Sequence, residues 1–189
     1  MKKDLLDDTY DIVKQSFLCC LGGEWNVHPM LTEEVDDQWT NAYKAVLGGV
    51  KTTIISTPVP FRKRGCNWYT VCNVHGNLFL DPHTGLILEN GSKDSDRLAA
   101  DELVNIVRLP KRKGFLTMVF DQSINRNAGS PKMQIQDKLN YLNAKDVYAF
   151  AYVSHSCVVV ASDNDEVTRN ALNKVLANSG LPGERFIKF

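Results

Sequence analysis

The sequence has no excess of charge of either sign, because 22 Lys and Arg residues balance 22 Asp and Glu residues. Any site for a polyanion must therefore depend on local clusters of charge. The chain also lacks an apolar run long enough to cross a membrane. Close to Met1, the acidic residues Asp4, Asp7 and Asp8 interrupt the apolar segment that a signal peptide requires. These absences predict a cytoplasmic protein with no membrane partner.

The cysteines do not follow the spacing of a disulfide framework, and their number, five, is odd. Both features predict reduced thiols and an intracellular protein. Cys66 and Cys72, with His75 and His83 beyond them, have the residue types of a metal site. The two cysteines lie six residues apart on one predicted strand. Extended chain would separate them by roughly 20 Å, too far to share a zinc ion, so we predict neither a metal nor another cofactor here.

The order of predicted elements is clearest from Gly114 to the end of the chain. Ser130 and Pro131 are a typical helix start, because serine caps a helix and proline fits its first turn. The order β-α-β-β-α-β predicts a ferredoxin-like unit. Its predicted elements are the strand Gly114–Asp121, the helix Pro131–Asn143, two strands within Lys145–Ser162 that meet at His155, the helix Glu166–Ala177 and the closing strand Arg185–Phe189.

The first half of the chain is predicted to begin with two helices and to continue with a β region. Apolar stripes from Leu6 to Leu21 and from Val35 to Val46 indicate the helices, the second capped by Thr32. The predicted strands and third helix are Thr52–Thr57, Asn67–Val74, Asn77–Leu80, Leu86–Glu89 and Ser95–Val107.

The fold class predicted from these elements is α+β, with a helical N-terminus, a central β region and a C-terminal ferredoxin-like unit. The best boundary follows Pro110, where a basic segment separates a helix from a strand. This divides the chain into residues 1–110 and 111–189. One continuous sheet through both halves is the alternative.

Two basic triplets lie close to aromatic residues and predict a nucleic-acid or phosphate site. Cationic side chains can neutralise phosphates while aromatic rings stack on bases. The alternative is that both triplets are solvated loops before strands. The residues concerned are Arg62, Lys63 and Arg64 with Trp68, and Lys111, Arg112 and Lys113 with Phe115.

The loop Gln122–Ser130 adds a second candidate site for an anion. It is long for a connection inside a compact unit, and it brings Arg126, Gly129 and Ser130 to the start of a helix. Free backbone N–H groups and the helix dipole favour an anion there. A mobile surface loop is the alternative interpretation. His155, at the tight hairpin, is an exposed candidate for proton transfer.

Carboxylates support a hypothesis of a metal-dependent enzyme. Without Thr52–Thr57, the elements from the second helix to Val119 follow the order α-β-β-β-α-β, which resembles the core of the PD-(D/E)XK nuclease superfamily. The resemblance implies Mg²⁺ or Mn²⁺ held by Asp81 and Glu89, with Glu33 or Glu34 contributed from the helix. The superfamily has a lysine two residues after the second acid, where this chain has Gly91, and Lys93 is the nearest substitute. A simple turn at Asp81-Pro82 is the alternative.

Together these patterns predict an accessory or binding protein rather than an enzyme. Its leading partner is a polyanion or a phosphorylated ligand, either nucleic acid or a nucleotide. The first alternative is a metal-dependent nuclease or phosphodiesterase. The second is a structural assembly subunit, because edge strands of ferredoxin-like units can pair between protomers and form a homo-oligomer.

Overall fold

The protein combines helices with a mixed β-sheet, as a computed structural model shows for residues 9–48, 50–59, 68–88, 97–125, 127 and 129–188. These residues form five α-helices: α1 (Thr9–Leu21), α2 (Asp37–Val46), α3 (Ala100–Val107), α4 (Pro131–Asn143) and α5 (Asp165–Asn178). The strands are β1 (Trp25–His28), β2 (Thr52–Ile54), β3 (Asn77–Leu80), β4 (Gly85–Ile87), β5 (Arg97–Ala99), β6 (Thr117–Asp121), β7 (Tyr148–Val153), β8 (Cys157–Ser162) and β9 (Phe186–Lys188).

Seven of the described strands form one sheet in the order β2-β1-β3-β6-β8-β7-β9, and β4 pairs with β5 in a small parallel sheet. The neighbouring strands β2, β1, β3 and β6 are parallel to one another, whereas β8 is antiparallel to both β6 and β7. Strands β3 and β6 are hydrogen-bonded neighbours, although they come from opposite sides of the boundary predicted after Pro110. The main sheet therefore continues through both halves of the chain.

The elements predicted after Gly114 all occur, but the ferredoxin-like arrangement is not confirmed. In that arrangement the closing strand lies beside the first strand of the unit. Here β9 pairs with β7, so that Phe186 is opposite Tyr152, and β3 occupies the free side of β6. The strand that would close the unit is thus displaced to the far edge of a larger sheet.

The helical N-terminus is also interrupted, because β1 lies between α1 and α2 and is paired on both sides. The second helix begins at Asp37, later than predicted, and its cap is Asp36 rather than Thr32. The Asp36 carboxylate accepts the Trp39 N–H at 2.8 Å. That bond satisfies a backbone donor that the first turn leaves free.

The predicted strand Asn67–Val74 is wrong, because Trp68–Cys72 forms a short 3₁₀ helix. Its backbone groups are used locally: the Asn73 N–H donates to the Thr70 carbonyl at 3.0 Å. The start predicted for the third helix is also wrong, because Arg97–Ala99 forms β5 and α3 begins at Ala100.

Helices cover both faces of the sheet and divide the core in two. One face packs against α1, α2 and α5 and contains Phe17, Tyr43, Phe79 and Phe150. The other packs against α3 and α4 and contains Leu78, Leu80, Leu103, Val119 and Leu139. Among the described residues, no helix is both long enough and apolar enough to span a membrane. The outermost strands of the main sheet are β2 and β9, and a homo-oligomer formed through such edges stays a prediction.

Candidate functional site

Arg112, predicted to bind a ligand, lies inside the protein and supports the start of β6. Its side chain is fully buried. One guanidinium nitrogen donates to the Leu116 carbonyl and to the Thr117 hydroxyl, each at 2.7 Å, and the other donates to the Gly76 carbonyl. Burial lowers the pKa of Arg112 to about 10. These contacts favour a structural role for Arg112 over the predicted ligand-binding role.

The neighbouring residues Lys111 and Lys113 are exposed, close to the point where β6 begins. Trp68 belongs to the short 3₁₀ helix. The remaining predicted residues, Arg62, Lys63, Arg64, Arg126 and Glu89, lie outside the described residues. Convergence of the two triplets on one site therefore stays a prediction.

Asp81, the candidate metal ligand, is buried in a network of hydrogen bonds at the end of β3. One oxygen of its carboxylate accepts from Lys14 Nζ at 2.9 Å and from the Tyr43 hydroxyl at 2.7 Å. Lys14 also contacts the Asp11 carboxylate at 3.0 Å. Burial alone would lower the pKa of Lys14, but the two carboxylates outweigh it and raise that pKa. Burial is the main cause, and the negative charge of Asp81 the second, that raises the pKa of Tyr43 well above its usual value. The hydroxyl therefore keeps its hydrogen and remains a donor.

The contacts of Asp81 do not favour the nuclease hypothesis, because they occupy the carboxylate oxygen with protein donors. Glu33 and Glu34 are exposed in the loop before α2 rather than on that helix. The part of the chain that the structure describes contains no group of three or more His, Cys, Asp or Glu side chains arranged to hold a metal ion. These contacts favour a structural role for Asp81, in which it holds α1 and α2 on the end of β3, and metal binding by Asp81 stays a prediction.

A second buried charge pair, which sequence analysis missed, lies at the end of β6. The Asp121 carboxylate accepts from Lys138 Nζ at 2.6 Å, from the Leu86 N–H at 3.0 Å and from the Ser123 N–H at 2.9 Å. Asp121 is fully buried, and Lys138 is 6% exposed. The backbone of β4 can lie this close to the Asp121 carboxylate because residue 85 is glycine. A Cβ atom at Gly85 would lie 2.1 Å from that carboxylate. The pair fastens α4 and the small sheet to β6.

His28 is buried at the end of β1, beside a residue with an unusual backbone. Its Nδ1 accepts the Met30 N–H at 3.0 Å, so the neutral ring carries its hydrogen on Nε2. Met30 has a φ of 52°, in the left-handed region that a non-glycine residue adopts at a cost. Burial lowers the pKa of His28 to about 4.

The low pKa of His28 predicts a loss of stability in acid. Below pH 6.5 the unfolded chain binds a proton at this residue, whereas the folded chain stays neutral until about pH 4. The free energy of unfolding therefore decreases as the pH falls from 6.5 to about 4, by about 3 kcal/mol in total. We expect His28→Gln to lose less stability between pH 7.5 and pH 4 than the parent protein in urea unfolding. His155→Gln, at the exposed hairpin, is the control, and equal losses in all three proteins would contradict the prediction.

Two of the described cysteines, Cys72 and Cys157, are buried thiols. Cys19, Cys20, Cys72 and Cys157 are all free. Burial raises the pKa of Cys72 to about 12 and raises that of Cys157 well above its usual value. Cys66 lies outside the described residues. A buried thiol with a raised pKa is not a nucleophile at neutral pH, so these two cysteines belong to the core.

An open groove lies at the N-terminus of α4, where sequence analysis predicted an anion site. We call it the α4 groove. It has a volume of about 630 Å³. Its polar side chains come from the start of α4, from the hairpin between β7 and β8, and from the segment before β9: Ser130, Lys132, Ser154, His155, Glu184 and Arg185.

Several features of the α4 groove suit an anion. Lys132 and Arg185 provide two cationic side chains, against the single carboxylate of Glu184. The Lys132 ammonium donates to the Glu184 carbonyl at 2.9 Å, which joins two walls of the groove. The Ser130 side chain caps none of the described N–H groups of α4, so its hydroxyl is available to a ligand.

The α4 groove and the exposed lysines Lys111 and Lys113 lie at opposite ends of β6. The lysines precede Thr117, the first residue of β6, whereas α4 follows the loop after Asp121, its last residue. A strand of this length spans roughly 17 Å. The described cations therefore do not form one continuous basic surface.

Comparison with known proteins adds no family to this geometry. No protein-family model matches the chain, and no curated protein matches it significantly. The functional assignment therefore depends on the chemistry of the described residues.

Proposed function

We propose that the protein is an intracellular binding protein whose α4 groove holds a phosphorylated small molecule. The observation that carries this proposal is that Lys132, Arg185 and the first turn of α4 meet at one open groove of about 630 Å³. Pockets for small molecules and cofactors have volumes of about 300–1,000 Å³, so the groove is large enough for a nucleotide.

The electrostatics of the groove favour a phosphate group over a neutral ligand. The N-terminus of a helix carries partial positive charge and free N–H donors, and α4 is long enough, at 13 residues, to develop that dipole. Pro131 has no N–H, so the donors are the N–H groups of Lys132 and Met133. Arg185 adds a planar guanidinium, which can bind two phosphate oxygens at once.

A nucleotide is preferred to a long nucleic acid because of the size of the charged surface. Nucleic-acid binding requires many phosphate contacts along the backbone. The groove has two cations, and Lys111 and Lys113 lie at the other end of β6. A single phosphorylated ligand matches two cations and one helix terminus.

The test is to titrate the protein separately with adenosine monophosphate, inorganic phosphate and adenosine and to measure binding by isothermal titration calorimetry. We expect the two phosphate compounds to bind and adenosine to bind at least tenfold more weakly. Arg185→Ala and Lys132→Ala should each weaken binding by about tenfold to a hundredfold, because each removes a charge-assisted hydrogen bond of about 1.5–3 kcal/mol. Affinity should fall as salt rises.

Arg169→Ala is the matched control, because it removes the same charge from the exposed surface of α5, on the opposite face of the sheet. It should bind the phosphate compounds like the parent protein. Equal binding by the parent, Arg185→Ala and Lys132→Ala would place the phosphate elsewhere. The absence of binding by either phosphate compound at low salt would refute the proposal.

A further inference from the structure

A second cavity lies on the other side of α4, between that helix and the small sheet of β4 and β5. Its volume is about 300 Å³. Leu86, Ile87 and Leu88 form an apolar wall, and the polar lining includes Arg97 from β5 and Asp137 from α4. We call it the small-sheet cavity. It shares no lining residue with the α4 groove.

Lys138 lines this cavity with a buried ammonium group that has capacity for one more acceptor. An ammonium has three N–H donors. Two of them are used, one by Asp121 Oδ2 at 2.6 Å and one by the Ser123 hydroxyl oxygen at 2.7 Å. No other described acceptor contacts this nitrogen, and the side chain is only 8% exposed. An oxygen of a ligand in the cavity can therefore accept the third hydrogen.

The two remaining charges come from facing elements and are of opposite sign. Neither Arg97 nor Asp137 forms an ion pair with any residue that the structure describes. Asp121 offsets the charge of Lys138 at the base of the cavity. Of the described residues that line the cavity, Arg97 and Lys138 are cations and Asp137 is the anion.

This distribution selects a ligand class different from that of the α4 groove. A polyanion would meet Asp137, and a simple amine would meet both Arg97 and Lys138. A zwitterion satisfies all three, with its carboxylate at the two cations and its ammonium at Asp137. The volume, at the small end of the range for ligand pockets, suits a molecule of few atoms.

We propose that the small-sheet cavity binds a free α-amino acid. Its carboxylate accepts from Arg97 and from the third N–H of Lys138, and its ammonium donates to Asp137. The wall of Leu86, Ile87 and Leu88 then faces the side chain, which favours an aliphatic amino acid. This inference does not depend on the phosphate site.

The experiment titrates the 189-residue protein with the twenty standard L-amino acids, using isothermal calorimetry and ligand-observed NMR. At least one aliphatic amino acid, such as L-leucine, should bind. Isovalerate keeps only its carboxylate and isoamylamine only its ammonium, and each should bind at least tenfold more weakly than leucine. Arg97→Gln and Asp137→Asn should each weaken amino-acid binding at least tenfold.

Arg169→Gln and Asp165→Asn on α5 are the matched controls, because they make the same changes of charge on an exposed ion pair of the opposite face. They should leave amino-acid binding unchanged, as should Arg185→Ala in the α4 groove. Asp137 is exposed, so Asp137→Asn should fold even if Arg97→Gln does not. The proposal is overturned if no amino acid binds, or if isovalerate or isoamylamine binds as tightly as leucine. It is also overturned if Asp137→Asn retains full affinity for the amino acid.

Discussion

Replacing Asp121 by alanine is expected to lower the free energy of unfolding by about 3–5 kcal/mol, the usual cost of leaving one partner of a buried ion pair without the other. Lys138 would keep its ammonium under α4 without a carboxylate, and the Leu86 N–H would lose its acceptor. A domain of ordinary stability has about 5–15 kcal/mol in total. Urea unfolding followed by circular dichroism measures the difference, and we expect a substantial unfolded population for Asp121→Ala.

A double-mutant cycle separates the ion pair from the other bonds of Asp121. Lys138→Met removes the charge but preserves most of the apolar stem, and alone it should also destabilise the protein. The double variant Asp121→Ala/Lys138→Met should lose less stability than the sum of the two single variants, because neither charge is then left unpaired. Glu24→Ala, at an exposed ion pair, is the control for the loss of a carboxylate. Strictly additive effects would show that the pair contributes little.

The two buried charge pairs explain how helices are fixed to opposite faces of one sheet. Asp81 follows β3 and reaches Lys14 of α1, whereas Asp121 ends β6 and reaches Lys138 of α4. The strands are neighbours, but the two helices pack against different halves of the core. In some proteins buried ion pairs fix one arrangement among several that apolar packing would allow. We infer that these pairs set the positions of α1 and α4, and α4 lines both proposed sites.

Local patterns predicted α4 and α5 closely, because their start signals act within a few residues. Ser130-Pro131 marks the first residue of α4, and Asn164 caps α5 by accepting the N–H groups of Glu166 and Val167. Strand β1 was missed for the opposite reason. Its four residues are too few for their alternation of apolar and polar side chains to stand out, and pairing with β2 and β3 makes them a strand. Strand order is likewise a property of distant contacts, which explains the error in the place of β9.

The candidate sites were predicted less well than the elements, because a site depends on which distant residues meet. Ser130 was correctly associated with the start of α4, but Arg185, some fifty residues later, joins it only through the displaced position of β9. Arg112 looked like part of a basic surface, and only the fold reveals that it is enclosed. One signal for the second cavity was present: Lys138 falls on the apolar stripe of α4 beside Ile135, Leu139 and Leu142. A charge in such a stripe indicates a buried partner.

The importance of β9 can be tested by removing residues 185–189. Phe186 packs against Tyr152, with ring centroids 5.2 Å apart, and against Phe150 at 6.4 Å and Phe17 at 6.5 Å. Ile187 lies in the core of the other face. Because helices cover both faces, Phe186 and Ile187 are each buried, at 8% and 9% exposure.

A chain that ends at Glu184 should therefore lose its cooperative fold. Truncation of one buried aromatic costs about 3–5 kcal/mol, and the loss of Ile187 and of the pairing with β7 adds to it. The sum approaches or exceeds the total stability of an ordinary domain, so the shortened chain should be insoluble or lack a sharp thermal transition. The control is Lys188→Ala in the chain that keeps residues 185–189. The Lys188 side chain is exposed, so this variant should melt at the same temperature as the parent protein. If the shortened chain melted cooperatively at the parent temperature, β9 would not belong to the core, and the wall that Glu184 and Arg185 give to the α4 groove would have to be reassigned.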